Sequence, residues 1–165
     1  MYTIAGTGSR SLVTAHLTTH LHVAKWLDTY LEAAKTQWDD GELFVMSGMA
    51  EGFDEHLAAA ALRLEIPLIA AVPNLSYGQY YWKEHSLTES DRYEEWITYT
   101  EAAFDVVYVC GTQIYVNGVH ANFIRNQYMV DHANEFLVWD PTSRGTADCV
   151  KRIERAQLPY EVIPQ

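Results

Sequence analysis

The chain has 165 residues, 48% of them apolar and 20% charged, which suits one globular domain and excludes a disordered chain. Eleven basic residues against twenty-two acidic ones give a net charge of −11, which argues against a duplex-DNA or anionic-membrane surface while leaving room for a local basic pocket. No apolar run approaches the roughly 18 residues of a membrane helix, and the opening Met1–Gly6 reads directly into structure rather than as a signal peptide. Cys110 and Cys149 make neither a disulfide framework nor a CxxC pair. Both are expected to be small buried hydrophobes of a cytoplasmic protein.

Tyr2–Ala5 reads as a first strand, followed by Gly6-Thr7-Gly8-Ser9-Arg10. From Leu17 to Trp38 apolar residues recur every three or four positions, the period of an amphipathic helix, and Asp39-Asp40-Gly41 stops it. Leu43–Met46 reads as a second strand ending at Ser47-Gly48, and the Ala- and Leu-rich Asp54–Leu64 as a buried helix. Ile66–Val72 reads as a third strand, with Pro67 near its start where a missing N–H is tolerated. A loop is expected over Pro73–Tyr81, then a helix over Ser90–Ala103 capped by Ser90 or Asp91. Phe104–Cys110 is an unbroken apolar run, hence a fourth strand, followed by Gly111-Thr112. A helix over Asn122–His132, a strand over Glu135–Trp139, a helix over Thr146–Ala156 and a short strand over Tyr160–Ile163 complete the pattern.

Strands that read as unbroken apolar runs are buried on both faces, and helices between them imply crossover connections. The expected fold is therefore α/β, a Rossmann-like three-layer α/β/α sandwich with a mostly parallel central sheet, in one domain over residues 1–165. No internal repeat, low-complexity segment or linker interrupts it.

In open parallel sheets, ligands bind beyond the carboxyl ends of the strands, where the strand order reverses. Those ends are loaded here. Gly6, Thr7, Gly8, Ser9 and Arg10 follow the first strand. Ser47, Gly48, Glu51, Gly52 and Asp54 follow the second, Gly111 and Thr112 the fourth, and Asp140, Gly145 and Thr146 the fifth. Glycine permits close backbone approach, hydroxyls donate hydrogen bonds, and helix N-termini present oriented N–H groups, a combination suited to phosphate or carboxylate. Taken singly, each glycine cluster reads equally as a tight turn. The third glycine of a dinucleotide fingerprint is Ser11, and Ser47 stands where a ribose-binding acid is expected, so a conventional NAD dehydrogenase is disfavoured. No phosphate-binding GKS or GKT occurs.

The segment Ser47-Gly48-x-x-x-Gly52-x-Asp54, before an Ala-rich helix and an Ile-Pro-Leu-Ile strand, resembles the SLOG superfamily of Rossmann-like proteins. Within it the YpsA-like branch is most similar, through Gly78-Gln79, Trp82, Asp91-Arg92-Tyr93, Arg125-Asn126-Gln127-Tyr128-Met129-Val130-Asp131, Trp139-Asp140 and Arg144-Gly145-Thr146-Ala147. The resemblance covers nearly the whole chain from Ile4 to Ile163 and implies a pocket for a nucleotide or nucleotide-derived ligand such as AMP, ADP-ribose or an NAD-related molecule. The related LOG-type phosphoribohydrolases use Pro-Gly-Gly-x-Gly-Thr-x-x-Glu. Here Pro141 to Cys149 keeps Gly145-Thr146 but has Thr142-Ser143 for the glycine pair and Cys149 for the glutamate. Asp148 is one residue early, about 100° around a helix. The family's catalytic glutamate therefore does not carry over. A second relative, the DNA-processing protein, binds single strands. Four lysines and seven arginines make nucleic acid a disfavoured partner here.

Individual residues carry two readings each. Arg10, Arg125 and Asn126 can bind an anion or be ordinary surface and helix residues. Asp54 can favour the helix dipole, bind a ribose hydroxyl or act in acid/base chemistry, with Glu51 beside it as a second catalytic candidate. Trp82 can stack on a base or pack in a loop. Asp131 can be structural, and the Asp91-Arg92 pair a surface ion pair. His16 and His20 lie one helical turn apart, yet no cysteine or carboxylate stands near them in sequence, and no metal or other cofactor is expected. Aromatic residues make up 13% of the chain and cluster over Tyr77–Tyr99 and Tyr108–Tyr128, as core and interface filler or as the wall of a pocket for a planar ligand.

Three functions follow. The first is a sensor or sequestering module for a nucleotide-derived small molecule. The second is a nucleotide N-glycosidic hydrolase, in which Asp54 or Glu51 stabilises an oxocarbenium-like state while water attacks. The third is single-strand binding. A homodimer is the expected assembly, given the aromatics of the middle third.

Overall fold

The computed structural model describes residues 1–39 and 41–165. Asp40, part of the helix stop read from the sequence, lies outside the described residues. The chain alternates strands and helices: β1 (Tyr2–Gly8), α1 (Leu17–Lys35), β2 (Leu43–Ser47), α2 (Phe53–Arg63), β3 (Leu68–Val72), α3 (Tyr93–Ala102), β4 (Asp105–Tyr108), a small hairpin of β5 (Tyr115–Val116) and β6 (Val119–His120), α4 (Ala121–His132), β7 (Glu135–Trp139), α5 (Arg144–Arg155) and β8 (Tyr160–Val162). A 3-10 turn over Arg10–Thr14 and a π-helical turn over Gly78–Glu84 fill two connections. The second falls where a plain loop was expected.

Six parallel strands form the sheet in the order β4-β3-β2-β1-β7-β8. The order runs outward from β1 to β4 and then jumps back to β7, so it reverses between β1 and β7. The register there pairs Gly6 with Leu137 and Gly8 with Trp139. The period-two alternation of strand side chains divides the core in two. Ile4, Val45, Ala70 and Leu137 face Val23, Leu27 and Leu31 of α1 and Phe53 and Leu57 of α2. Their neighbours Ala5, Met46, Ala71, Phe136 and Val138 face Met129 and Val130 of α4 and Cys149 and Ile153 of α5. This is the expected three-layer α/β/α sandwich.

The sequence expectation fails at the sheet margins. Phe104–Cys110 reads as buried on both faces, yet β4 is shorter and largely exposed, with Phe104 70% accessible. Among the described residues it pairs only with β3, at the end of the strand order. An apolar run by itself carries no information about strand order. The helix expected from Ser90 begins at Tyr93. Asp91 Oδ1 accepts from the Tyr93 N–H at 3.0 Å just ahead of it. Cys149 is buried as expected, with its thiol pushed up to about 12 by burial, against smaller opposing effects of the Thr7 hydroxyl and the Arg125 charge. Cys110 is only half-buried.

Candidate functional site

A cavity of about 380 Å³ opens at the carboxyl end of β1, where the strand order reverses. Five segments reach it, one of them the connection after β3, which brings Tyr77 and Tyr81. Thr7 to Arg10 come from the end of β1, Ala50 and Asp54 from the loop and helix after β2, Asn122 to Asn126 from α4, and Ser143 to Thr146 from the start of α5. Of the residues singled out in the sequence, Thr7, Gly8, Ser9, Arg10, Asp54, Arg125, Asn126, Gly145 and Thr146 meet here.

Asp54 starts α2 and is buried. Its Oδ2 accepts from the Ala50 N–H at 3.3 Å. Its Oδ1 is buried without a hydrogen-bond partner among the described residues. Burial pushes its pKa up to about 6, while the nearby Arg125 charge and the Ala50 N–H pull in the other direction. A buried carboxylate oxygen left open is costly, so such an atom asks for a ligand group or a proton.

Arg125 is buried on α4 and held by two contacts. Its Nη1 donates to the Gly48 carbonyl, and its Nε donates to Asn126 Oδ1 at 3.1 Å. Nη2 has no protein partner among the described residues, so one prong of the fork remains for an anion. Gly48 makes this approach possible: a Cβ there would stand 2.3 Å from Arg125 Nη1 and 2.7 Å from Asp54 Oδ2. Asn126 in turn donates to the Gly145 carbonyl at 3.3 Å and to Asp148 at 3.2 Å, tying α4 to α5. The first N–H groups of α5 have no intrahelical acceptor. Ser143 Oγ caps one of them, from Thr146. A Cβ on Gly145 would meet only open space, so the helix start stands clear for a negatively charged group.

Glu51 differs. It is fully buried and does not line the cavity. Its Oε1 accepts from Ser86 Oγ at 2.5 Å and from Arg92 Nη1 at 3.4 Å. Its Oε2 accepts from Arg10 Nη2 at 3.1 Å and from the Leu87 N–H at 3.0 Å. Arg92 also grips Glu55. Glu51 therefore pins the segment after the π-helical turn and aims Arg10, whose guanidinium lies 5.2 Å from the centre of the Tyr81 ring.

Other sequence candidates are placed elsewhere. Trp82 is fully buried, donates its indole N–H to the Met49 carbonyl at 2.9 Å, and packs in the core beside Trp96. Ser47 Oγ donates to the Asp54 carbonyl at 2.7 Å and accepts from the Met49 N–H, shaping the loop from beneath. Gly6 lies under Leu57, 2.4 Å from a would-be Cβ, and serves helix–sheet packing. Gly52 has φ +91° with Arg10 backbone 3.1 Å from its would-be Cβ, so it lets the two loops touch. Asp140, at φ +49°, accepts from Thr142 and Ser11 and borders a neighbouring groove. Gly111 and Thr112 are exposed beyond β4, far along the sheet from the reversal, because β4 takes the outermost place. His20 Nδ1 lies 2.9 Å from His56 Nε2 between α1 and α2, and burial, then His20, holds His56 below its ordinary range. His16 caps α1, and His22 meets the Pro164 carbonyl.

Sequence reasoning missed Tyr77, Tyr81, Asn122, Phe123, Ser143 and Arg144, which also line the cavity. The aromatic clustering was the available signal for the two tyrosines, whereas Trp82 drew attention as the larger ring.

No protein-family model and no curated protein sequence matches the chain. Solved structures do. DNA processing protein A (DprA) from Streptococcus pneumoniae superposes with a TM-score of 0.61 at 16% identity, over 99% of this chain and 50% of that one. DNA processing protein A from Helicobacter pylori, whose structure is described for its single-stranded DNA binding mode, gives 0.61 at 15% identity, over 99% and 66%. The structural-genomics target TM1055 gives 0.61 at 12% identity, over 97% and 72%. The chain thus spans half the length of the Streptococcus protein. What is shared across these chains is the Rossmann-like fold.

Proposed function

We propose that the cavity at the strand-order reversal binds a nucleotide or nucleotide-derived small molecule. The observation that carries this reading is the convergence of the free prong of Arg125, the aimed Arg10, the uncluttered start of α5 and the open oxygen of Asp54 on one cavity. Cationic donors and a helix start suit phosphate, and a carboxylate suits ribose hydroxyls. Calorimetry with AMP, ADP-ribose, NAD and cyclic nucleotides tests it, preceded by mass spectrometry of small molecules released on denaturation. Micromolar binding of one of these, weakened by Arg125→Ala, is expected. No binding by any of them removes the reading.

Asp54 favours a second reading, N-glycosidic hydrolysis. A carboxyl group near 6 is partly protonated at neutral pH, and its ionised form can stabilise an oxocarbenium-like state. Release of free base from a nucleotide, abolished in Asp54→Asn, is the test; turnover unchanged in that variant defeats the assignment. Single-strand binding is the reading suggested by the Helicobacter neighbour. The net charge of −11 opposes it. Affinity for oligonucleotide that falls steeply with salt would support it over the small-molecule readings.

We also retain a homodimer in a reducing, cytoplasmic setting, supported by two free cysteines and by exposed Phe104, Ile114 and Tyr115. None of the described helices is long and apolar enough to cross a membrane. The placement within the YpsA-like branch rests on the sequence segments alone. Sedimentation at micromolar concentration tests the dimer.

A further inference from the structure

Arg125 stands at one end of a line of paired side chains that runs between α4 and α5. The line starts at Asp131, whose Oδ1 accepts from Gln127 Nε2 at 2.8 Å. Gln127 Oε1 accepts from Arg152 Nη1 at 2.9 Å. Arg152 grips Asp148 twice, donating from Nε to Oδ2 at 2.8 Å and from Nη2 to Oδ1 at 3.2 Å. Asp148 Oδ2 also accepts from Asn126 Nδ2 at 3.2 Å, and Asn126 Oδ1 accepts from Arg125 Nε at 3.1 Å. Arg125, Asn126, Gln127 and Asp131 belong to the segment that carries the family resemblance, and α5 supplies Asp148 and Arg152. Arg125 and Asn126 line the cavity; the other four do not.

We propose that Asp148 is a positioning residue of the anion site, acting through Asn126 to hold Arg125 in place for the ligand. The inference rests on the nucleotide reading of the cavity and adds the residues that set its cation. A carboxamide can turn either its oxygen or its amino group to a neighbour. At Asn126 the choice is made from both sides. A guanidinium only donates, so Arg125 needs the oxygen. A carboxylate and a carbonyl only accept, so Asp148 and Gly145 hold the amino group. The Gly145 bond is neutral and 3.3 Å long, whereas the Asp148 bond has a charged acceptor and is the stronger. Arg152 fixes both oxygens of Asp148, and Gln127 fixes Arg152. Without Asp148 the amide keeps one weak tie. It can then turn its amino group to Arg125, donor against donor, and Arg125 is left hanging on the Gly48 carbonyl. The cavity keeps its cation but loses the orientation of that cation.

Two measurements on the intact chain test this. The first needs no ligand. The Arg125 charge lowers the Asp54 carboxyl, which burial has pushed up to about 6. In Asp148→Ala the Asp54 titration, followed by carbon NMR, is expected to move above its value in the unaltered chain as Arg125 leaves its place. Loss of a negative charge by itself moves a carboxyl down, so the sign separates positioning from a plain charge effect. The second is calorimetry with AMP. Asp148→Ala is expected to weaken AMP by about fivefold or more in the unaltered background, and by less than about twofold when Arg125→Ala is already present. Arg152→Met, which releases the clamp on Asp148, is expected to act in the same directions with smaller size, and serves if Asp148→Ala fails to fold. An Asp54 titration that stays or falls overturns the inference. So does a loss of AMP affinity that is equal in both backgrounds, which would make Asp148 a structural residue only. If the unaltered chain binds no AMP, the nucleotide reading falls, and the direction of the Asp54 shift alone decides whether Asp148 positions Arg125.

Discussion

Two carboxylates, Glu51 and Asp54, lie three residues apart at the junction of the β2–α2 loop with α2, both buried, and their surroundings are opposite. On the Glu51 side every oxygen is taken: two arginines, a serine hydroxyl and a backbone N–H converge on it. On the Asp54 side one oxygen has no partner among the described residues, and the nearby Arg125 guanidinium is turned to the Gly48 carbonyl. A saturated buried carboxylate holds structure together. An unsaturated one costs stability and is retained where something else will complete it. The difference separates lock from site within a single turn of chain, and burial alone would not have done so.

The comparison breaks most sharply at Glu51. Glu51→Ala strands Arg10 and Arg92 and frees the Ser86–Leu87 segment. The expected loss is about 3 kcal/mol or more, read by denaturant unfolding. A loss below about 1 kcal/mol would mean that Glu51 is no lock.

Asp54→Asn should move stability the other way. The carboxyl group titrates at about 6 in the folded chain against an ordinary 3.8. The folded chain thus holds this proton more tightly than the unfolded one, and ionisation opposes folding. The penalty is absent below pH 4, grows as pH rises towards 6 and is complete above it. The asparagine variant is expected to be more stable by about 2–3 kcal/mol at pH 7.5, with the difference fading by pH 4. An equal or lower stability at pH 7.5 would place Asp54 with Glu51 among the structural carboxylates.

Gly48→Ala sharpens the comparison with less effect on the fold. Its Cβ collides with the ends of two side chains, Arg125 and Asp54, which can shift. Stability should change by about 1 kcal/mol or less, while affinity for the bound nucleotide falls at least tenfold as both groups are displaced. Unchanged affinity would remove Arg125 from the anion site. The smallest effect is expected from Thr112→Ala, at an exposed position beyond β4: thermal stability and ligand affinity should both stay unchanged. A marked loss of affinity there would mean that the far loops belong to the site after all.

Much of this was legible in the residues. The alternation of apolar runs with helical spacing identified the layered α/β fold, because a strand covered on both sides must be apolar on both faces and a helix must present one stripe. Gly8, Arg10, Asp54 and Gly145 could be singled out because glycines, an arginine and a carboxylate gather beyond the strand ends, and Arg125 through the Arg-Asn segment that carries the resemblance. Trp82 could not be placed that way. A tryptophan beside tyrosines suits a stacking platform and a core equally, and its indole N–H happened to find the Met49 carbonyl inside.

Local periodicity and residue chemistry are properties of neighbours along the chain, so they were enough to specify the elements, their type and the loops rich in ligand-binding groups. Strand order, edge exposure and the fate of each buried oxygen depend on groups far apart in sequence. Arg125 meets the Gly48 carbonyl across 77 residues, and Ser86 meets Glu51 across 35. Only packing brings such partners together, so only packing could leave Gly111 and Thr112 outside the site, fill Glu51 and leave Asp54 open.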